Sequence, residues 1–434
     1  MQCWLQGLVF PVFVFNVVCA DVGRGWAEDK GIDDFPKLSA STDWPYWRGP
    51  SRDGQAPSDS QVPTEFGETQ NVSWKTPVPG RGHSSPIVVG DRVYFETADE
   101  VQQIQSVIAM DRKSGKQLWK SDLSTGGFPA NNHAKNTEAS PTIASDGERL
   151  FAVFLHHKQV HLTALDFNGQ TEWKKAVGAF DPKRFEYGYA PSPVVYRNTV
   201  IVAAEHDGDS YIAAFDRQSG KEAWRTPRPS SISFSTPVVA HVAGRDQLLI
   251  SGQELVCSYD PANGKQLWQT AATTYATCGT MIWDGDLVFA SGGYPKAGTF
   301  AIRADGSGKV IWQNNQKCYE QSMIHVDGYV YALTDNGILY CWSSKDGKEM
   351  WRQRLAGPVS ASPVIVGGLI YWANESGTFY VFKPNPKKFE LVAENKLGTE
   401  AFASPAVSGN SLYLRVANGQ KPNRQEFLYS ISSP

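Results

Sequence analysis

The sequence predicts an all-β protein, a single eight-bladed β-propeller of four-stranded blades closed by an N-terminal strand that completes the last blade. Three observations carry that reading. Seven tryptophans, Trp74, Trp119, Trp173, Trp224, Trp268, Trp312 and Trp351, follow one another at intervals of 45, 54, 51, 44, 44 and 39 residues, and Leu391 takes the eighth place 40 residues on. Such a stride is the period of one propeller blade. Eight apolar strand starts, each led by Ser or Thr, alternate with these positions: Ser85, Ser140, Ser192, Thr236, Thr280, Ser322, Ser362 and Ser404. Finally, the blade that starts at Ser404 has sequence for only three strands, whereas residues 71–76 form a Trp-bearing strand with no blade before it. Pairing the two closes the ring and removes its exposed sheet edges.

In chain order, residues 1–20 read as a signal peptide. Leu5 to Ala20 is apolar but shorter than a membrane span and interrupted by Pro11 and Asn16, and Val18-Cys19-Ala20 fits a cleavage site before Asp21. Lipidation at Cys19 is the alternative, and the only membrane attachment the sequence suggests. Residues 21–43 read as a flexible tether. Residues 44–70 open on Trp44-Pro45-Tyr46-Trp47-Arg48-Gly49-Pro50, too aromatic for a solvated linker, and are expected to cap the ring with Arg48 and Arg52 as anchors. The propeller occupies residues 71–434.

Within a blade the second hairpin is the more regular. Asp111, Gly115 and Trp119 recur as Asp216, Gly220 and Trp224, and again as Asp260, Gly264 and Trp268. The Asp accepts backbone amides of the turn, the Gly supplies a positive φ, and the Trp docks its ring on the next blade. Later copies wear: Asp305 slides by one place, and in the seventh, before Leu391, both Gly and Trp are gone.

A formal charge of −3 over 434 residues, with no basic run, leaves no footprint for nucleic acid. Cleavage would leave Cys257, Cys278, Cys318 and Cys341, without CxxC spacing. Cys257 and Cys341 read as small buried hydrophobes, and Cys278 with Cys318 as either a disulfide or two thiols.

The A-x-D-x-x-[ST]-G-x-x-x-W copies resemble the tryptophan-docking repeat of pyrroloquinoline-quinone (PQQ)-like propellers. That group includes the quinoprotein alcohol dehydrogenases and the assembly lipoprotein BamB. The Trp44–Pro50 segment with Gly80-Arg81-Gly82-His83 resembles a secreted bacterial subgroup of it. For the enzymes, the resemblance implies PQQ with calcium, a pair of adjacent cysteines beneath the quinone and a catalytic aspartate. This sequence has no Cys-Cys pair and no segment that matches the calcium site.

Sorting polar residues by loop gathers His83, His133, Lys135, Glu138, Tyr187, His206, Asp207 and Glu320 as candidate ligand-binding residues on one face. The position three before each start's Pro or Met, where the inner strand meets the channel mouth, reads His83, Glu138, Ala190, Phe234, Cys278, Glu320, Ser360 and Phe402. Of these, His83 and Glu138 form a candidate metal pair. The other reading is a polar rim that binds nothing. No H-x-x-x-H or G-x-S-x-G motif supports metal or nucleophilic catalysis. The expected function is therefore an exported, monomeric, non-catalytic scaffold that binds an envelope protein or a small polar ligand through its loops. The alternatives are a PQQ- or metal-dependent oxidoreductase, and carbohydrate binding by Tyr187, Tyr189, Tyr275 and Tyr294.

Overall fold

A computed structural model describes Met1, Ile32, residues 35–230 and residues 232–433. The signal peptide, Cys19 and most of the 21–34 stretch lie outside the described residues. Contacts divide the chain at Gly31, and the account below concerns the unit from Ile32 onward.

The Asp–Gly turns fold as read. Asp111 Oδ1 accepts the Ser114 amide and hydroxyl at 2.8 and 2.5 Å, Asp216 does the same for Ser219 at 2.8 and 2.6 Å, and Asp260 Oδ1 accepts the Ala262 amide at 2.9 Å. Gly115, Gly220 and Gly264 follow with φ of +68°, +65° and +72°, which side chains rarely adopt.

Among the described residues thirty-two strands result, in eight antiparallel four-stranded sheets of which seven are consecutive in sequence. These seven blades cover residues 87–125, 144–179, 194–227, 238–271, 282–314, 324–354 and 364–396. The eighth combines Ala406–Ser408, Ser411–Asn418 and Gln425–Ile431 with the N-terminal strand Val72–Val78, which pairs antiparallel to Gln425–Ile431 with Trp74 opposite Ser430. The ring closes as the sequence predicts. Its core lies between neighbouring sheets, and inner and middle strands are buried along nearly their whole length, as in Leu150–His156 and Thr199–Ala204.

Docking couples each Trp to its neighbour's turn. The indole nitrogens of Trp74, Trp119, Trp173, Trp312 and Trp351 donate to the carbonyls of Arg112, Phe167, Arg217, Ser344 and Asn385 at 2.8–3.2 Å. A Cβ added at Gly115, Gly169, Gly220, Gly264 or Gly347 would lie 2.4–2.8 Å from the ring docked there. The Gly is therefore needed twice over, for its φ and for the close approach of the indole. Trp268 departs: facing the shifted turn around Asp305, its nitrogen turns to Gln247 Oε1 in its own blade, at 2.7 Å.

Closure also explains why the seventh copy lacks its Trp. In blade eight the third and fourth strands belong to distant parts of the chain, so no Asp–Gly turn joins them. Leu391, at the Trp position of blade seven, is left 46% exposed with no such turn to dock on. Residues 64–68 take over this seam: the Phe66 amide donates to Asn395 Oδ1 (2.9 Å) and Glu68 Oε1 accepts the Gly398 amide (3.0 Å).

Residues 44–56 lie against the face opposite the between-blade loops. Trp44 and Val88 exchange backbone hydrogen bonds at 2.8 and 2.9 Å, and Ala56 donates to the Ile365 carbonyl at 2.9 Å. Arg48 donates to the Met323 carbonyl (3.0 Å) and Arg52 to that of Val195 (2.8 Å), so this segment touches blades one, three, six and seven. Phe35, in the stretch read as tether, is buried with the Arg217 guanidinium over its ring. The cysteines are all free among the described residues, so the Cys278–Cys318 disulfide is not formed: Cys318 is buried with its thiol donating to the Leu333 carbonyl.

Candidate functional site

Where the blades converge on the axis, small hydroxyl side chains link them. The amides of Ser85, Thr142, Ser192, Thr280, Ser322, Ser362 and Ser404 donate, at 2.8–3.1 Å, to the hydroxyls of Thr142, Ser192, Thr236, Ser322, Ser362, Ser404 and Ser85 in the following blade. Only a short side chain fits this crowded position, and without its oxygen each amide would be buried unpaired. At the remaining junction Thr280 Oγ1 accepts the indole N–H of Trp47, at 2.8 Å.

This ring corrects the reading of blade two. Its linking hydroxyl is Thr142, two residues beyond Ser140, whose own hydroxyl is spent locally on Thr137 and Asn136. Ser140, not Glu138, therefore stands at the channel mouth. The mouth set His83, Ser140, Ala190, Phe234, Cys278, Glu320, Ser360 and Phe402 surrounds one cavity of about 170 Å³. Trp47 lines both this cavity and a residual void of about 10 Å³ beneath it, and so floors the cavity.

Of the candidate residues, His83, His133, Lys135, Tyr187 and Glu320 line the cavity. Glu138 instead accepts from Asn132 at 2.7 Å outside it, and burial, then the charge of Glu100, raises its pKa. His206 is buried against Phe180, and the Asp207 carboxylate accepts the Lys183 amide. His156 and His161 stack on each other at 3.9 Å within blade two, so the histidines do not form one cluster. Among the described residues no group of three or more His, Cys, Asp or Glu side chains is arranged to hold a metal ion.

A single lysine organises the wall. The loop between blades one and two carries Lys135 past blades one and eight to blade seven, where its ammonium lies 2.6 Å from Glu375 and 3.8 Å from Glu320. Ser360 Oγ contacts both carboxylates. Burial works to lower the Lys135 pKa, but the Glu375 hydrogen bond and the charges of Glu320 and Glu375 hold it above its ordinary value. Burial raises the Glu320 pKa, with Ser360 and Lys135 opposing.

Opposite, the His83 ring stacks on Phe402 at 4.3 Å and 6°. Its Nε2 is buried without a partner, and burial, reinforced by Arg81, Arg415 and Arg424, keeps the imidazole neutral. Sequence reasoning missed Trp47, Tyr319 and Glu375 as parts of this site: Trp47 and Glu375 arrive by loop paths the repeat does not encode, and Tyr319 sits one residue outside the mouth register at Glu320.

PQQ, the group the fold implies, does not fit these residues. It is a planar tricarboxylate, and the wall offers it the carboxyl of Glu320 and one ammonium already committed to Glu375. No vicinal cysteine platform exists either: Cys278 stands alone on the wall.

Fold, repeat and mouth together define a PQQ-like propeller. The family model described as outer membrane protein assembly factor BamB matches residues 64–122, 103–315 and 296–415, and the chain belongs to that family. The BamB of Burkholderia pseudomallei (strain K96243) is 24% identical over 343 residues, which cover 70% of this chain and 85% of that protein. Among solved structures, a europium-containing methanol dehydrogenase superposes with a TM-score of 0.67 at 12% identity, over 92% of this chain and 99% of its own. BamB from Moraxella catarrhalis gives 0.59 at 14% identity, over 82% and 99%. At these identities the structures show the shared fold alone.

Proposed function

We propose that this chain is an exported scaffold that serves outer-membrane protein assembly, as its relatives' name describes, by binding an envelope protein through its loop face. Family membership supports the role. The observation that carries the surface is a group of aromatic rings beside the mouth: Phe185 contacts Tyr187, Tyr275 and Tyr294 at 5.4–5.7 Å. Phe185 has a φ of +50°, a costly backbone for a bulky residue, and Tyr294 is 49% exposed. Aromatic groups held rigidly at a surface suit protein recognition. Tyr189 belongs to the core instead, its hydroxyl donating to the Ala203 carbonyl at 2.8 Å, which removes one ring from a sugar-binding platform.

The test is genetic. Loss of the gene is expected to lower the amount of folded outer-membrane β-barrel protein, read by heat-modifiable gel mobility. Wild-type chain restores it, and a Phe185→Glu/Tyr275→Glu variant that still folds does not. Full restoration by that variant removes the surface from the proposal, and an unchanged barrel level on deletion removes the role. The exported location and the cleavage before Asp21 are part of the same proposal, checked by fractionation and N-terminal sequencing.

A further inference from the structure

From the wall of the central cavity we infer a function beyond scaffolding: it is a binding site for a small alkylammonium cation, and Lys135 is a tethered occupant that such a cation displaces. Three features of the cavity agree. Its apolar surface is aromatic, from Trp47, Tyr187, Phe234, Tyr319 and Phe402, and ring faces attract cations when water is excluded. Its acidic side is Glu320, with Glu375 behind it, and the side chain bridging the two is itself a primary ammonium from a loop 240 residues away in sequence. On the other side, His83 lines the cavity as a neutral ring stacked on Phe402 and so adds no competing cation there. Aromatic walls, a carboxylate and a neutral imidazole recognise an organic cation and oppose an anion.

The neighbouring arginines do not alter that balance, since each is paired behind the wall. Arg81 meets Glu100 at 2.9 Å, Arg415 meets Glu426 at 2.7 Å, and Arg424 meets Glu426 at 2.8 Å as well as Glu400. The Lys317 ammonium at the rim pairs with Asp335 at 3.3 Å. The Trp47 floor limits the ligand to one that enters and leaves by the mouth. A tethered ammonium competes at an effective concentration in the millimolar range, so removing it exposes the intrinsic affinity of the site.

The test is calorimetric titration of the full chain with butylammonium chloride and with tetramethylammonium chloride, using sodium chloride as reference. Lys135→Met is expected to bind at least about tenfold tighter than the parent, and Glu320→Gln about tenfold weaker, each variant first shown to melt cooperatively. Binding to the parent is expected to weaken as pH falls through the raised Glu320 range. There the carboxyl takes up a proton between Ser360, Lys135, Glu375, Asp335 and the Cys278 thiol. Saturable binding by either amine, strengthened in Lys135→Met and weakened in Glu320→Gln, supports the inference. No binding to either parent or Lys135→Met, or binding that Glu320→Gln leaves unchanged, overturns it, and leaves the envelope-assembly reading untouched.

Discussion

The outer rim and the inner mouth of this ring are built from the same eight repeats, yet they differ in kind. At the rim, one residue type does one job again and again: the indoles of Trp74, Trp119, Trp173 and Trp312 each lie on the next blade's turn glycine and donate to its turn. At the mouth, the eight equivalent positions hold His, Ser, Ala, Phe, Cys, Glu, Ser and Phe. The hydroxyl ring lies two residues deeper and is uniform again. Positions that join blades repeat because each blade presents the same problem. The mouth positions share no common joining contact, and are free to differ.

The largest effect that would break this contrast is expected at the rim. Trp312, 8% exposed and bonded to the Ser344 carbonyl, should cost roughly 3–5 kcal/mol when replaced by Ala, read as a lowered denaturation midpoint. A smaller loss indicates that the blades hold together without their indoles. Next comes Gly220→Ala, whose Cβ would meet Trp173 at 2.6 Å on a backbone with φ of +65°. Its expected cost is roughly 1–3 kcal/mol, and Trp173→Ala in the same chain should relieve the steric part, giving a double-mutant coupling well away from zero.

A buried carboxyl sharpens the comparison through pH. Glu96, in the middle of blade one and fully buried, has its pKa driven well above the ordinary carboxylate value by burial, against its bond from the Val153 amide and the charge of Arg415. The folded chain thus holds this proton more tightly than the unfolded one. That contribution to stability is complete in acid and is lost as pH rises from the unfolded carboxyl range through the folded value. Melting curves of the parent and Glu96→Gln should therefore separate progressively toward neutral pH, with the variant the more stable. Parallel curves refute the buried proton. The smallest effect is expected at the mouth, where Lys135→Met breaks a partly exposed ion pair and should change stability by no more than about 1 kcal/mol. A larger loss would show that the Lys135 contact between the blade one–two loop and blade seven is structural.

This division also marks what was legible in the sequence. Strand count, closure and docking could be read because they are periodic. The mouth could be read only where the period held. In blade two, Ser140-Pro141 imitates the usual start while Thr142 does its work, which moved Glu138 two residues out of place. Glu375 and Trp47 carry no local signal, because they reach the axis from a loop within blade seven and from the segment under the ring. Their partners, Lys135 and Thr280, are more than 230 residues away.

The closing strand also has a consequence in time. Seven blades can each form from a continuous stretch of chain as soon as that stretch is available, but the eighth needs Val72–Val78 to wait for Gln425–Ile431. Until those residues arrive, the early strand has no partner and the growing arc ends in raw sheet edges at both sides. A chain crossing a membrane in an extended state, N-terminus first, would spend its whole passage in that condition. Gln425–Ile431 is the segment that completes the ring, so deleting only a few of its residues should harm the protein more than an equal deletion in any loop.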